Sequence, residues 1–370
     1  MSDISNEQNN RKSKNERTIY FDYLRVFATI SVMILHIAGQ NWQVCNVNGG
    51  DWKVFNFYES IVRWGVPVFI MISGALFLNQ EKISVKKIFT KYVFRLFVAY
   101  CFWSFVYYLF SGTSIKTQFI GLFSAGKIEK WVSIIKSHYH LWFVPMIAGI
   151  YICIPILKQI VKNENTTKYF LIISFIFWFL LPQLVSLINN MGSKKTIVII
   201  NALYNALNGT DLKIVMNYSF YFVLGYFISK KSFSKRGLLI IYILGILGWV
   251  FTYFVNLAFA LKKQEPFGMY YGSSCINILA EAVAIFEIFK NISFKNERVN
   301  KCIFMLSKWS FGAYLVHALI IEKLNAYGIN TLSFSTSAVS SLVIFIIVFF
   351  SSMGISAIIN FIPILKKYIV

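Results

Sequence analysis

The stretch Thr18–Gly39, TIYFDYLRVFATISVMILHIAG, decides how the chain is read. It is long and apolar enough to cross a bilayer as a helix, which takes about 20 residues. It also carries Asp22, Arg25 and His36, groups that are costly in hydrocarbon. A helix turns about 100° per residue, so with Asp22 at zero Arg25 falls near about 300°, Thr29 near 340°, His36 near 320° and Gln40 back near 0°. These polar groups form one narrow stripe and the rest of the surface is mainly Ile, Val, Leu, Phe, Met and Ala. Such a stripe must face a polar cavity or the inside of a bundle. Asp22 and Arg25 sit where interfacial anchors occur, but His36 lies about 16 Å further along the axis at about 1.5 Å per residue.

The whole chain agrees with a membrane reading. Its 370 residues are 57% hydrophobic and 14% charged, against about 25% charged in an ordinary soluble domain. Apolar stretches over 18–39, 55–78, 92–111, 138–157, 169–189, 217–229, 237–260, 273–289, 302–321 and 337–363 predict an all-α polytopic bundle of about ten transmembrane helices. An even count places both termini in the cytoplasm, with 1–17 a polar, basic, disordered tail and 18–370 a single domain. The net charge of +21 would suggest nucleic acid in a soluble protein. Here the basic residues fall in short loops, as the positive-inside rule expects, so membrane lipids and not nucleic acid are the expected partners. Five cysteines lack CxxC or metal-like spacing, and no metal site is expected.

Further polar groups recur at other apolar stretches. The second span contains R-W-G-V-P-V-F-I-M-I-S-G over 63–74. Proline inside a membrane helix frees a backbone carbonyl, and Arg63 requires an anionic or carbonyl partner or a watery cavity. The run 79–95 holds Lys86, Lys87, Lys91 and Arg95. It reads either as a rim for a polyanion or as a topology signal with anionic-lipid contacts; Arg95, one turn into the membrane, is least explained by the second. The fourth span opens H-Y-H-L-W-F at His138 and closes I-P-I-L at Leu157. His138 and His140 are too few for a metal site, and Tyr139 and Trp142 suit a membrane interface. The sixth span carries F-V-L-G-Y over 222–226. In the eighth, Asn277 and Glu281 lie one turn apart, and Glu281 is a candidate partner for an arginine. The ninth ends S-F-G-A-Y-L-V-H over 310–317, placing Ser310, Tyr314 and His317 on one stripe.

Five ordered blocks, Asp22–His36, Arg63–Gly74, His140–Pro155, Phe222–Tyr226 and Ser310–His317, together resemble the type 3 membrane acyltransferase family and span nearly the whole chain. The resemblance implies a bacterial plasma-membrane enzyme that moves an acyl group, often acetyl, from acyl-coenzyme A (acetyl-coenzyme A above all) to a hydroxyl of an envelope sugar or glycolipid. It implies catalytic roles for His36, Arg25 and Asp22, and donor contacts from Arg95, Lys91, Arg63 and Ser73. His140, Trp142, Glu281, Tyr314 and His317 would line the site. The chemistry agrees. Transfer to an alcohol needs a base near neutral pH, which histidine supplies, and positive charge or hydrogen-bond donors for the developing oxyanion. No G-x-S-x-G elbow is present, so histidine serves either as base or as transient acyl carrier. A transporter or exporter would use the same intramembrane charges, although no inverted repeat is visible. The outer segments 112–137 and 190–213 are expected to shape acceptor choice.

Overall fold

The computed structural model describes residues 2–110, 138–209 and 217–370 and is all-helical over them. In chain order the helices are α1 Ser2–Trp42, α2 Gly50–Val62, α3 Gly65–Leu78, α4 Val85–Phe110, α5 Phe143–Ile152, α6 Ile154–Ile160 and α7 Glu164–Met191. There follow α8 Lys194–Asn208, α9 Ser219–Lys230, α10 Lys235–Lys263, α11 Ile276–Asn291, α12 Glu297–Ala326, α13 Ser337–Phe361 and α14 Pro363–Tyr368. Short 3₁₀ turns, Tyr139–Trp142 and Met269–Tyr271, precede α5 and α11.

Among the described residues, eight segments are long and apolar enough to cross a membrane, or nine if the bent pair α5 and α6 counts as one span. The chain is therefore a multi-pass membrane protein. The expected count was about ten. The difference lies at α9, the predicted sixth span, which has 12 residues. At about 1.5 Å per residue it reaches about 18 Å, well short of a hydrocarbon core of about 30 Å. The segment expected as an outer loop over 190–213 is, over Lys194–Asn208, helix α8. Ser193 caps it by accepting from the Thr196 amide, and Ile197, Ile200 and Tyr204 recur at helical spacing on its less exposed side. The other expected outer segment, 112–137, lies outside the described residues, as do positions 210–213.

Two breaks in the spans follow from proline. Between α2 and α3 the helix loosens at Arg63 and Trp64, because Pro67 has no amide to offer the Arg63 carbonyl four residues earlier. Between α5 and α6 the axis bends by 58°, where Pro155 likewise cannot donate to Tyr151. Ser31 of α1 donates to the Val62 carbonyl at 2.5 Å, pinning the first break against α1.

Side-chain contacts sort the helix ends into two poles. At one, Tyr23 donates to Asn300 at 3.0 Å, Lys231 reaches Glu164 at 2.7 Å and Lys290 donates to the Lys231 carbonyl at 2.7 Å. Lys158 donates to the carbonyls of Gln80 and Glu81 at the same pole. At the other, Trp42 packs on Trp52 and Tyr271, and Asn41 donates to Thr331 at 2.8 Å. We call these the lysine pole and the tryptophan pole. The tightest crossing is α3 on α9. A Cβ on Gly74 would lie 1.7 Å from the Phe222 carbonyl oxygen, and one on Gly225 would lie 2.1 Å from that of Met71. The glycines of two separate sequence blocks thus meet so that two backbones can touch, as small residues allow in membrane bundles.

Candidate functional site

A cavity of about 770 Å³ runs through the bundle beside α1, within the range of ligand pockets. Its walls come from α1, the α2–α3 break, α4, the turn before α5, and α12, with α13 and α14 at the lysine-pole end.

At that end Arg25, Arg95, Lys308 and Lys366 line the cavity, with Ser307, Ser310, Asn360 and Tyr92 between them. No Asp or Glu lines it among the described residues. Arg25 is steadied by Asp22 at 3.4 Å, and Asp22 also accepts from Ser307 at 2.7 Å. Asp22 itself is not in the wall; it holds two groups that are. Arg95 donates to the Val370 carbonyl and its guanidinium lies 5.8 Å from the Phe311 ring centre. The Trp103 indole donates to the preceding carbonyl, that of Ile369, at 3.2 Å, tying the same segment to α4. Lys91, expected here, is exposed, with its ammonium 5.8 Å from the Tyr92 ring centre, and Tyr92 takes the lip position instead.

Towards the tryptophan pole the cavity is lined by His36, Arg63, Tyr139, His140, Trp142, Tyr271, Ser273 and Tyr314. His36 is half-buried and opens onto the cavity. Behind it lies His317, fully buried, their ring centres 5.2 Å apart. His317 Nδ1 lies 2.5 Å from the Tyr314 carbonyl, so that nitrogen carries the hydrogen. Its Nε2 is buried without a partner. His140 is 5.0 Å from His317 and 6.3 Å from His36 between ring centres, and His138 is 5.0 Å from His140. The chain has four histidines, and all four meet here from α1, the turn before α5 and α12. Among the described residues no group of three or more His, Cys, Asp or Glu has the geometry to hold a metal ion. His140 is fixed in place because Tyr314 donates its hydroxyl to the His140 carbonyl and the Leu141 amide closes the turn on the His138 carbonyl at 2.9 Å.

Arg63 pairs with Glu59 four residues earlier on the same span, and its guanidinium stacks 4.2 Å over the Tyr271 ring. The Tyr271 hydroxyl donates to Asn56. Glu281, expected to partner an arginine and line the site, is not in the cavity wall and interacts with Arg63 only through space, without a direct ion pair among the described residues. It is buried between α10 and α11, accepting from Thr252 at 3.1 Å. Ser73 lines the cavity while donating to the Phe69 carbonyl at 3.0 Å. Trp142, 41% exposed, faces Tyr218 at 5.6 Å.

Of the residues the sequence singled out, the cavity thus gathers Arg25, His36, Arg63, Ser73, Arg95, His140, Trp142 and Tyr314, with Asp22 and His317 directly behind. Lys91 and Glu281 stand apart from it. Sequence reasoning missed Lys308, Lys366, Asn360 and Tyr271 in the wall, and Glu59 as the partner of Arg63. Lys308 had a signal, two residues before the Ser310 block, and Glu59 had one in its four-residue spacing to Arg63.

The profile of a protein family described as an acyltransferase domain matches residues 18–361. The chain belongs to the acyltransferase 3 family. Curated relatives of this chain include proteins named "Probable poly-beta-1,6-N-acetyl-D-glucosamine export protein" from Staphylococcus aureus strains MRSA252 and Mu50. Each is 26% identical over 320 residues, covering 82% of this chain and 83% of the relative. The protein of the same name from strain NCTC 8325 matches to the same extent. No solved structure matches the chain.

Proposed function

We propose that this acyltransferase moves an acyl group, in the simplest case acetyl, from an acyl-coenzyme A to a hydroxyl of an envelope sugar or glycolipid at a bacterial plasma membrane. The observation that carries this reading is one continuous cavity with four cations at one end and imidazoles at the other. Arg25 and His36 are separated along α1 by about 16 Å, since a helix rises about 1.5 Å per residue. That is close to the reach of an extended pantetheine arm. A cationic end with no Asp or Glu side chain among the described residues of its wall suits the phosphates of coenzyme A, and the aromatic walls at the other end suit the apolar faces of a sugar ring.

In this reading the acceptor hydroxyl lies against His36. The imidazole takes the hydroxyl proton as the oxygen bonds to the acyl carbon. The carbon–sulfur bond then breaks, and the thiolate leaves and takes up a proton. Arg63 faces the developing oxyanion and stabilises it. His317 holds an unpartnered lone pair behind His36, where it can share the incoming positive charge.

The test is transfer by purified protein in lipid nanodiscs, with radiolabelled acetyl-coenzyme A as donor and β-1,6-linked N-acetylglucosamine oligomers as acceptor. The acceptor is chosen from the names of the relatives. Label appearing on the oligomer supports the proposal. Folded protein that neither transfers nor hydrolyses the acyl group overturns it. Those names also favour a second reading, in which the cavity is a passage for the sugar polymer. Flux of oligomer across proteoliposomes without any acyl donor would favour passage over transfer.

A further inference from the structure

Hydrogen bonds leading away from the imidazole cluster can be counted, and the count requires one proton more than the side chains hold in their ordinary states. Tyr107 of α4 inserts its hydroxyl into the backbone of α12. It donates to the Leu315 carbonyl at 2.9 Å and accepts from the Leu319 amide at 3.1 Å. Its single hydrogen is therefore used. His140 Nε2 lies 3.4 Å from the same hydroxyl oxygen, so that contact needs a hydrogen on Nε2. His140 Nδ1 lies 2.9 Å from His138 Nδ1, so one hydrogen sits between those two rings. His138 Nε2 meets the Glu322 carboxylate, which needs a third. An ionised glutamate and two neutral imidazoles supply two hydrogens. Three contacts hold three.

We propose that Glu322, His138 and His140 form a relay that stores one shared proton and moves it between the buried imidazole cluster and the outer rim of the bundle. Glu322 is 45% exposed and the His138 side chain 15%, whereas His140 is fully buried, so the row runs from water to the cluster. With the extra proton the trio is neutral overall, so no net charge is carried towards the buried His140. Among the described residues the other groups around it do not compete. Tyr107 stacks on His138 at 4.3 Å and Tyr139 lies 4.3 Å from it. Lys323, next in sequence to Glu322, donates instead to the Phe110 carbonyl at 3.2 Å. At its inner end the relay abuts His317, whose Nε2 has no partner, and through it His36.

This inference rests on the acyl-transfer reading for its purpose. Transfer moves one proton off the acceptor hydroxyl and one onto the departing thiolate. A stored proton lets the two events occur at different places and times. Glu322 and His138 act through other imidazoles and are positioning residues.

The test begins with the protein itself, labelled with ¹⁵N at histidine and held in nanodiscs at neutral pH without donor or acceptor. Four histidines make four imidazole spectra. One ring with both nitrogens protonated is expected, or one ring exchanging a proton with a carboxyl. Glu322→Gln should remove that species, and Glu322→Asp should retain it in part. In transfer assays Glu322→Gln should leave the KM for donor unchanged and lower kcat by about 10- to 100-fold, as when a carboxylate that orients a functional imidazole is removed. The alkaline limb of its pH profile should move to lower pH, because the relay then holds its proton less tightly. Four neutral imidazoles beside an ionised Glu322, read from the ¹³C shift of its carboxyl, would overturn the proposal, as would a Glu322→Gln spectrum and pH profile identical to the parent's. His138→Gln provides the same test should Glu322→Gln fail to fold. The spectra report on the relay even if no acyl transfer is detected.

Discussion

Arg25, Arg95, Lys308 and Lys366 reach the cavity from four separate helices; Arg95, Lys308 and Lys366 are exposed, and the interactions described for the two arginines are with protein groups outside this set. At the other end His138 and His140 bond one another, while His140 and His317 are fully buried beside His36. The first arrangement works by summed charge, in which no single position is critical and each contribution is screened by salt. The second works by directed lone pairs in a low dielectric, where a missing nitrogen has no substitute. Binding should therefore degrade gradually at the lysine pole, and turnover should fail abruptly at the imidazoles.

The sharpest contrast is at His36. His36→Ala should lower turnover by about 10²–10⁴-fold, the contribution typical of a general base, with donor affinity and thermal midpoint unchanged. Near-normal turnover in well-folded His36→Ala would dissolve the distinction between the two ends. α3 supplies Val66, Phe69, Ser73 and Phe77 to the wall and packs on α9 through Gly74, so Gly74→Ala should disturb binding and turnover alike. Its Cβ would lie 1.7 Å from a backbone oxygen that cannot move freely. A loss of about 3 kcal/mol of stability is expected from such overpacking, read as a fall in thermal midpoint and in monodisperse yield. Unchanged stability would mean the two backbones do not touch.

The gradual side is tested at the cations. Arg95→Gln should weaken donor binding by about tenfold, roughly the effect of one well-placed charge near a protein surface, and should flatten the dependence of affinity on salt. An unchanged affinity would remove Arg95 from the donor end. Lys91→Gln should change donor affinity by less than about twofold, since an exposed charge outside the cavity contributes little. A tenfold loss there would show that the cationic end extends beyond the wall described.

Much of this was legible from spacing alone, because a helix converts sequence interval into direction. Asp22, Arg25 and His36 had to share a face, and so did Ser310, Tyr314 and His317. Apolar length fixed the helical class and most of the spans, since backbone polar groups in lipid must be satisfied within the segment. Even the partner of Arg63 was within reach, at Glu59 one turn earlier. Glu281 acts on Arg63 only through space, while the direct ion pair goes to the nearer carboxylate.

What no interval could decide was which faces meet. Residues 36, 138, 140 and 317 are brought together by packing across the whole chain, and Glu322 joins them from beyond the end of its block. Whether Lys91 or Lys308 enters the cavity depends on where neighbouring helices end. The approach of α3 to α9 depends on two glycines, Gly74 and Gly225, that are more than a hundred positions apart. Local periodicity is set by covalent geometry and travels with the sequence. The choice among possible neighbours is set by shape, by close contact of small residues and by hydrogen-bond satisfaction, and those exist only once the helices have packed.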